Sequence, residues 1–594
     1  MEKLHSFYIP VMGTSFTIDT PLFVAKYGIS SAISLTDDML IEKMRRYWCE
    51  KYHELYEPIT SVVEDARAER ITAYLNLLKK IVVKQITIIK NSPFESNSEI
   101  DNYFELLPCT HNLRQLYDKM LHENNTAMKE LLQKQLREVV TAGSIDVNIM
   151  TKLDRAHYSC GKILPYKFSD AASALRGFAK SDLCSTVVFS AGFNPNLYGY
   201  LAEFADFFPD ENAEIKKKIC LKVSDYRSAV IQGKYLAKRG IWVSEYSIES
   251  SLNCGGHAFI NDGHLLGPIL EEFKQRKDEL METLYGFYKT AVTKIRRFCA
   301  DVPQRIKITV QGGIGVHNEH DFLLKYYNLD AVGWGTPFLL VPETTNVDHV
   351  TLSKLLNAQD QDIILSSSSP LGVPFWNLKN SSSEEERLRR IKNNNPGSCC
   401  INGYLRFNRE FTTESICTAS SKYQILKLQA LMTNDLSDEQ LQARKNEVLN
   451  KSCICRDLGG SVLNKRGIDN RITPAICPGP NIVNFKKLVS LREMISHIYG
   501  KSSLLAIDER PHVFIRELQL QINYLLREIK YASLGLPARS KQQLLEVKKN
   551  LSSGIDYYRI LAQVLLEEQR SKFLESLEKL SYEIHQIYST RNVG

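Results

Sequence analysis

No apolar run in this sequence approaches the roughly 18–20 residues needed to cross a bilayer, and the opening Met1-Glu-Lys-Leu-His-Ser-Phe-Tyr-Ile-Pro10 lacks the apolar core of a secretion signal. No excess of one charge is present either. The 75 Lys and Arg are intermixed with 68 Asp and Glu, leaving +7 over 594 residues. A nucleic-acid footprint would need Lys and Arg clustered on one face. No internal repeat is visible, and no histidine occurs between His349 and His497. These absences argue against membrane and nucleic-acid partners. They leave a cytoplasmic chain acting on a small-molecule substrate as the expectation.

What is present is an ordinary globular composition, 43% hydrophobic and 24% charged. The length calls for two or three domains. Over residues 1–350 short β-rich apolar runs alternate with helical stretches. The pattern predicts strands at Phe7–Val11, Ser31–Leu35, Ile145–Ile149, Thr186–Phe189, Lys218–Val223, Ile241–Glu245, Ile306–Val310 and Leu329–Gly333. Eight strands separated by helices are what an α/β fold of the (β/α)8, or TIM-barrel, class requires. One connection, about residues 38–143, is long, helical and charged. It reads as an insertion after the second strand, either a lid over the barrel mouth or a small helical domain. Residues 351–500 are cysteine-rich, with turn-like serine runs. From 501 to 594 the chain is helical, with a break at Gly535–Pro537 and another marked by Gly554. This predicts a helical hairpin whose face of Leu565, Phe573, Leu577 and Leu580 packs on the body or on a second copy of the chain.

The most informative segment is Ile306-Lys-Ile-Thr-Val-Gln-Gly-Gly-Ile-Gly315, an apolar strand running into three glycines before a helix. Such a turn lets the backbone approach an anion, and the helix N-terminus adds amide donors. A second strand, Asp330-Ala-Val-Gly-Trp-Gly-Thr336, ends in another glycine turn. In a barrel these would follow the seventh and eighth strands, where phosphate sites are commonly built. A pair of plain tight turns is the simpler alternative. Trp242 leads through a β-run to Cys254-Gly-Gly-His257. A histidine at that mouth could serve as a general base near neutral pH, or merely satisfy a backbone carbonyl.

Together these segments resemble the nitronate monooxygenase (2-nitropropane dioxygenase) family of FMN barrels over about residues 1–345, the insertion excluded. Pro10-Val-Met-Gly13 is similar to the family's Pro-Met-Gly turn with one residue inserted. Cys254-Gly-Gly-His257 is similar to its Ala-Gly-Gly-His, Gly312-Gly-Ile314 to its phosphate turn, and Gly335-Thr-Pro-Phe-Leu339 to its Gly-Thr-Arg-Phe-Leu. Enoyl reductases of the same superfamily share these turns. The resemblance implies FMN held by Met12, Gly13, Gly255, Gly256, Gly312, Gly313, Gly333, Gly335 and Thr336, with His257 as the catalytic base. Cys254 in place of Ala and Pro337 in place of Arg depart from the pattern.

Thirteen cysteines are unevenly spread, and six (Cys399, Cys400, Cys417, Cys453, Cys455 and Cys477) fall in one histidine-free stretch. Converging thiolates suit an iron–sulfur cluster or zinc, and unligated buried thiols are the third option. Cys400, Cys417 and Cys477 are the favoured metal ligands, with Cys453 or Cys455 as the fourth and Cys399 as the spare. The leading expectation is an FMN-dependent oxidoreductase, a monooxygenase or reductase, passing electrons through this cluster to an external carrier. The alternatives are a phosphate-substrate barrel resembling IMP dehydrogenase, and a non-catalytic metal-binding scaffold.

Overall fold

The computed structural model describes residues 3–589 apart from positions 160, 191, 259, 434, 508, 509 and 566. Its centre is a ring of eight parallel strands: Phe7–Tyr8, Ser31–Ser34, Ile145–Met150, Thr186–Ser190, Lys218–Val223, Glu245–Glu249, Lys307–Gln311 and Ala331–Gly333. From the second to the eighth each pairs in parallel with the next along the chain, and the eighth pairs with the first. A parallel bridge between Ile9 and Ser31 closes the ring, with Ala32 N–H donating to Ile9 O at 3.0 Å. The (β/α)8 barrel is therefore complete.

Seven strands fall on the segments that the alternation marked. The sixth does not. It runs Glu245–Glu249, and the apolar Ile241, Trp242 and Val243 lie outside the sheet. Those three residues are buried, and the Trp242 ring meets the edge of Tyr288 at 5.3 Å on the long helix Leu266–Lys294. Their apolarity serves helix packing. The true strand alternates Glu245, Ser247 and Glu249 with Tyr246 and Ile248, a pattern that an apolar-run criterion passes over.

The insertion forms helices Asp38–Lys51, Ala66–Asn91, Glu99–Glu105, Asn112–His122 and Thr126–Val139. It is not a lid over the mouth. Ile100, Tyr103, Phe104, Tyr117 and Leu136 build a small core of their own that packs on Leu4 and Tyr27. Glu99 binds Lys26 at 3.0 Å and accepts from Tyr27 Oη at 3.1 Å, just before the second strand. Tyr103 Oη donates to Thr141 O, just before the third. These anchors place the small core at the N-terminal end of the barrel.

The mouth is covered instead by the cysteine-bearing stretch. A hairpin, Ile363–Ser366 against Phe375–Leu378, joins the loop after the sixth strand. Ala258 N–H donates to Pro374 O, and Trp376 N–H to Gly256 O, both at 2.9 Å. The tail is three helices, Val513–Ser533, Lys541–Leu561 and Glu567–Ser589, where a hairpin was expected. Gly554 does not break its helix. It allows close approach, since a side chain there would strike Leu265 at 2.6 Å. Phe573, Leu577 and Leu580 are buried on the last helix, with Phe573 edge-on to His512 and Tyr558, whereas Leu565, also buried, lies ahead of that helix rather than on its face. One continuous apolar core contains residues of the barrel, the cysteine-bearing stretch and the tail.

Candidate active site at the barrel mouth

The loop after the first strand puts Met12 in the core and turns at Gly13, whose φ is +53°. A side chain there would strike the Phe16 ring at 2.8 Å and reach Cys477 Sγ at 3.4 Å. After the sixth strand, Gly255 and Gly256 adopt φ of +118° and +81°, which only glycine tolerates readily. Asn253 ties this loop together, its Nδ2 donating to the carbonyls of Gly255 at 3.3 Å and His257 at 2.6 Å. His257 Nε2 shares a hydrogen bond with Ser369 Oγ at 2.6 Å, and its ring meets the edge of Phe375 at 5.0 Å. Burial pulls its pKa down to about 4, helped by the nearby charge of Lys152. The imidazole is therefore neutral at physiological pH.

Below these loops the barrel supplies a polar floor. Lys222 Nζ pairs with Glu249 at 2.8 Å, Gln311 Nε2 donates to the same carboxylate at 2.7 Å, and Asn148 Nδ2 donates to Ser190 Oγ at 3.3 Å. Apolar walls come from Val11, Met150, Leu405 and Ile454. Sequence reasoning missed Lys222, Glu249, Asn148 and Asn253. The signal was the inward alternation of Lys218-Ile-Cys-Leu-Lys222, in which charged residues sit at every fourth position of a buried strand.

The two glycine turns after the seventh and eighth strands both border Cys254, and the chain itself fills the space around them. Side chains at Gly312, Gly313 and Gly335 would strike Asn253, Leu252 and Cys254 at 2.9, 2.7 and 2.5 Å. The amides of Gly312 and Thr336 face the sulfur of Cys254, and the amide of Gly256 faces that of Cys477. Burial pushes both thiols up to about 12, so both are uncharged. The Cys477 carbonyl lies against Gly255, and Gly479 lies against Asn253 and Thr336. Asn481 Nδ2 donates to Ile314 O at 2.8 Å, and Arg510 donates to Gly313 O at 2.6 Å. In the following helix, His317–Tyr326, Glu319 reaches back to accept from Gly315 N–H at 3.0 Å and across to accept from Val513 N–H at 2.7 Å. Gly333 lies lower, against Gln311 and Tyr8 inside the barrel.

The remaining mouth cavity is about 120 Å³, whereas small-molecule pockets run about 300–1,000 Å³. The floor and walls suit a planar polar-edged ring. The phosphate end of FMN has no seat, because Cys254, Cys477–Asn481 and Arg510 hold it. A whole FMN does not fit this arrangement.

Nor do the cysteines assemble as expected. Cys400 contacts Cys417, and Cys453 contacts Cys455, as two side-chain pairs in one buried neighbourhood. Cys477 is apart from them at the mouth, and Cys399 is exposed. Among the described residues no group of three or more His, Cys, Asp or Glu is arranged to hold a metal ion. The set Cys400, Cys417 and Cys477 with Cys453 or Cys455 is therefore divided, and an iron–sulfur cluster or zinc does not fit it.

No protein-family model and no curated protein matches the chain. Among solved structures it is similar to FabK from Thermotoga maritima, at 12% identity over 67% of this chain and 82% of that one, with a TM-score of 0.32. It is also similar to the enoyl reductase domain of MlnA from the macrolactin biosynthesis cluster of Bacillus amyloliquefaciens, at 13% identity over 75% and 88%, with a TM-score of 0.33. A third is nitroalkane oxidase from Streptomyces ansochromogenes, at 12% identity over 64% and 85%, with a TM-score of 0.30. Superposition at these scores is loose.

Proposed function

We propose that this chain is an oxidoreductase whose chemistry takes place at the C-terminal mouth of its barrel. The observation that carries this reading is the convergence there of the first, third, fifth and sixth strand ends on one pocket, with His257 above and the Lys222–Glu249 pair below. Active sites of this fold sit at that end. A pocket with apolar walls and a polar floor suits a flat redox ring or a conjugated substrate. His257, neutral, would take or return a proton at Nε2 in exchange with Ser369 Oγ. Lys222, held by Glu249, would offset negative charge developing above the floor. Asn253 fixes the loop that carries His257.

FMN is the redox group this reading calls for, and it requires Cys477–Asn481 to withdraw from the two glycine turns. A phosphate-bearing substrate on the same turns meets the same obstruction. A second reading, a non-catalytic barrel, is favoured by one observation: the sulfurs of Cys254 and Cys477 already face the amides that would otherwise receive a phosphate and ribityl chain.

Visible absorbance and extracted flavin, measured on the purified protein before and after loading with FMN, decide between the two. Bound flavin near one per chain, together with turnover that His257→Ala abolishes, supports the oxidoreductase. A chain that stays colourless after loading supports the second reading.

A further inference from the structure

The interior of a (β/α)8 barrel is ordinarily packed with layers of Val, Ile and Leu. Here the inward positions include Ala32, Thr186, Cys220 and Ser247, and they enclose a cavity of about 540 Å³. That volume is within the range of small-molecule pockets, about 300–1,000 Å³. The cavity opens at the N-terminal end of the barrel, away from His257, where Gly143–Asp146 and Leu183–Thr186 enter their strands and Val82 and Val83 of the inserted helix form one side.

Its charges are arranged by depth. Lys3, Lys218 and Lys307 stand at the rim, and their ammonium groups form no ion pair with a described residue. Two carboxylates line the wall. Glu245 accepts from Thr309 Oγ1 at 2.7 Å, and Asp146 accepts from Ser144 Oγ at 2.6 Å and Thr186 N–H at 2.9 Å. Two buried polar side chains on this lining, each 5% exposed, have atoms that no described protein group answers: Ser185 Oγ at the entrance, one residue before its strand, and Asn148 Oδ1 farther in, beside the floor of the mouth. Buried polar atoms are almost always hydrogen-bonded, so two orphans on the wall of one cavity point to something that enters it.

We propose that the barrel interior is a second binding site, entered from the end opposite the mouth, for a small anionic metabolite rich in hydroxyl groups. Its phosphate or carboxylate lies among Lys3, Lys218 and Lys307. Its hydroxyls donate to Asn148 Oδ1, Ser185 Oγ and the Glu245 and Asp146 carboxylates. A purely apolar ligand would strand these groups, and a bare inorganic anion would leave the acceptors without donors.

The test is calorimetric titration of the full chain at fixed ionic strength with ribose 5-phosphate, gluconate and inorganic phosphate. Saturable binding of ribose 5-phosphate identifies a phosphate site and of gluconate a carboxylate site, with inorganic phosphate at least tenfold weaker. The double variant Lys218→Glu, Lys307→Glu should weaken binding tenfold or more with no change in melting temperature. Thr186→Leu, which narrows the cavity and keeps the backbone bond to Asp146, should abolish it. The proposal is overturned if neither organic anion binds, if inorganic phosphate binds as tightly as either, or if both variants bind like the parent chain.

Discussion

Glu319 and Arg510 form a buried ion pair at 2.5 Å, each side chain 3% exposed, in the turn where a phosphate would otherwise be held. Burial opposes ionisation of Glu319, yet Arg510 and His512 hold its carboxyl below its usual value. The pair, with the Gly315 and Val513 amides that Glu319 also binds, makes the protein's own carboxylate the anion of this site.

Removing one partner should therefore be costly. Glu319→Ala strands a buried guanidinium and two amides, and an expected loss of about 3–5 kcal/mol would appear as a markedly lower denaturation midpoint. Because the folded carboxyl is depressed, its stabilisation is present above the ordinary value of 4.5 and fades as pH falls below it. Glu319→Gln should flatten that acid limb. An unchanged midpoint in the alanine variant would show the pair to be without net effect.

Cys254 fills the space between the two glycine turns. Cys254→Ala removes the sulfur from the Gly312 and Thr336 amides and reopens part of that space, so added FMN should bind more tightly than to the parent chain. Quenching of flavin fluorescence on titration measures this. Equal affinity in both would assign the obstruction to Cys477–Asn481 alone.

The neutral state of His257 has a signature in pH. Its folded pKa of about 4 lies below the ordinary 6.5, so the unfolded chain binds the extra proton first. Stability from this group is present above 6.5 and lost as pH falls from there to about 4. Asp37, Asp146 and Asp457, which burial raises to about 6, act in the opposite sense over an overlapping range. The measurement is thus the difference between the parent and His257→Gln, which should shrink toward acid. A difference independent of pH would mean that His257 is not buried as a neutral ring.

Each thiol pair has one member drawn down by its partner's hydrogen bond, Cys400 in the first and Cys453 in the second. A hydrogen bond from Cys417 and the Arg406 guanidinium, working against burial, bring Cys400 down to about 6, while Cys417 is pushed far up by the same contact. Thiolate ultraviolet absorbance should include a step near that pH, and that step should be lost in the double variant Cys400→Ser, Cys453→Ser and reduced in Cys400→Ser alone. If Cys417→Ala leaves the titration unmoved, the hydrogen bond is not its cause.

The barrel was legible because strand alternation and glycine turns are local. Seven strands and the Gly255–His257 loop could be read from runs of five to ten residues. The sixth strand was displaced because Ile241–Val243 is apolar for the sake of Tyr288, a partner outside the sheet. What fills the phosphate turns was not legible, since it depends on where residues near 480 return in space. Cys477 was grouped with the metal ligands, and its actual neighbour is Gly256. The interior cavity was present in the sequence as Lys218, Lys222, Glu245 and Asp146 within strands. Hydrophobic periodicity weighs such residues only as noise.

The cover over the mouth also has a temporal meaning. Ser15 donates to the carbonyl of Leu458, 443 residues later, and His5 bonds to Tyr499 at 2.9 Å. At roughly 5–20 residues per second of synthesis, the first strand and its turn exist for about 20–90 s before the segment that seals them leaves the ribosome. During that interval all eight strands can close while the mouth and its apolar walls stay open to solvent. Any ligand of the glycine turns has its easiest access then, before Cys477 arrives, so filling of the turns from outside and completion of the chain would be competing events.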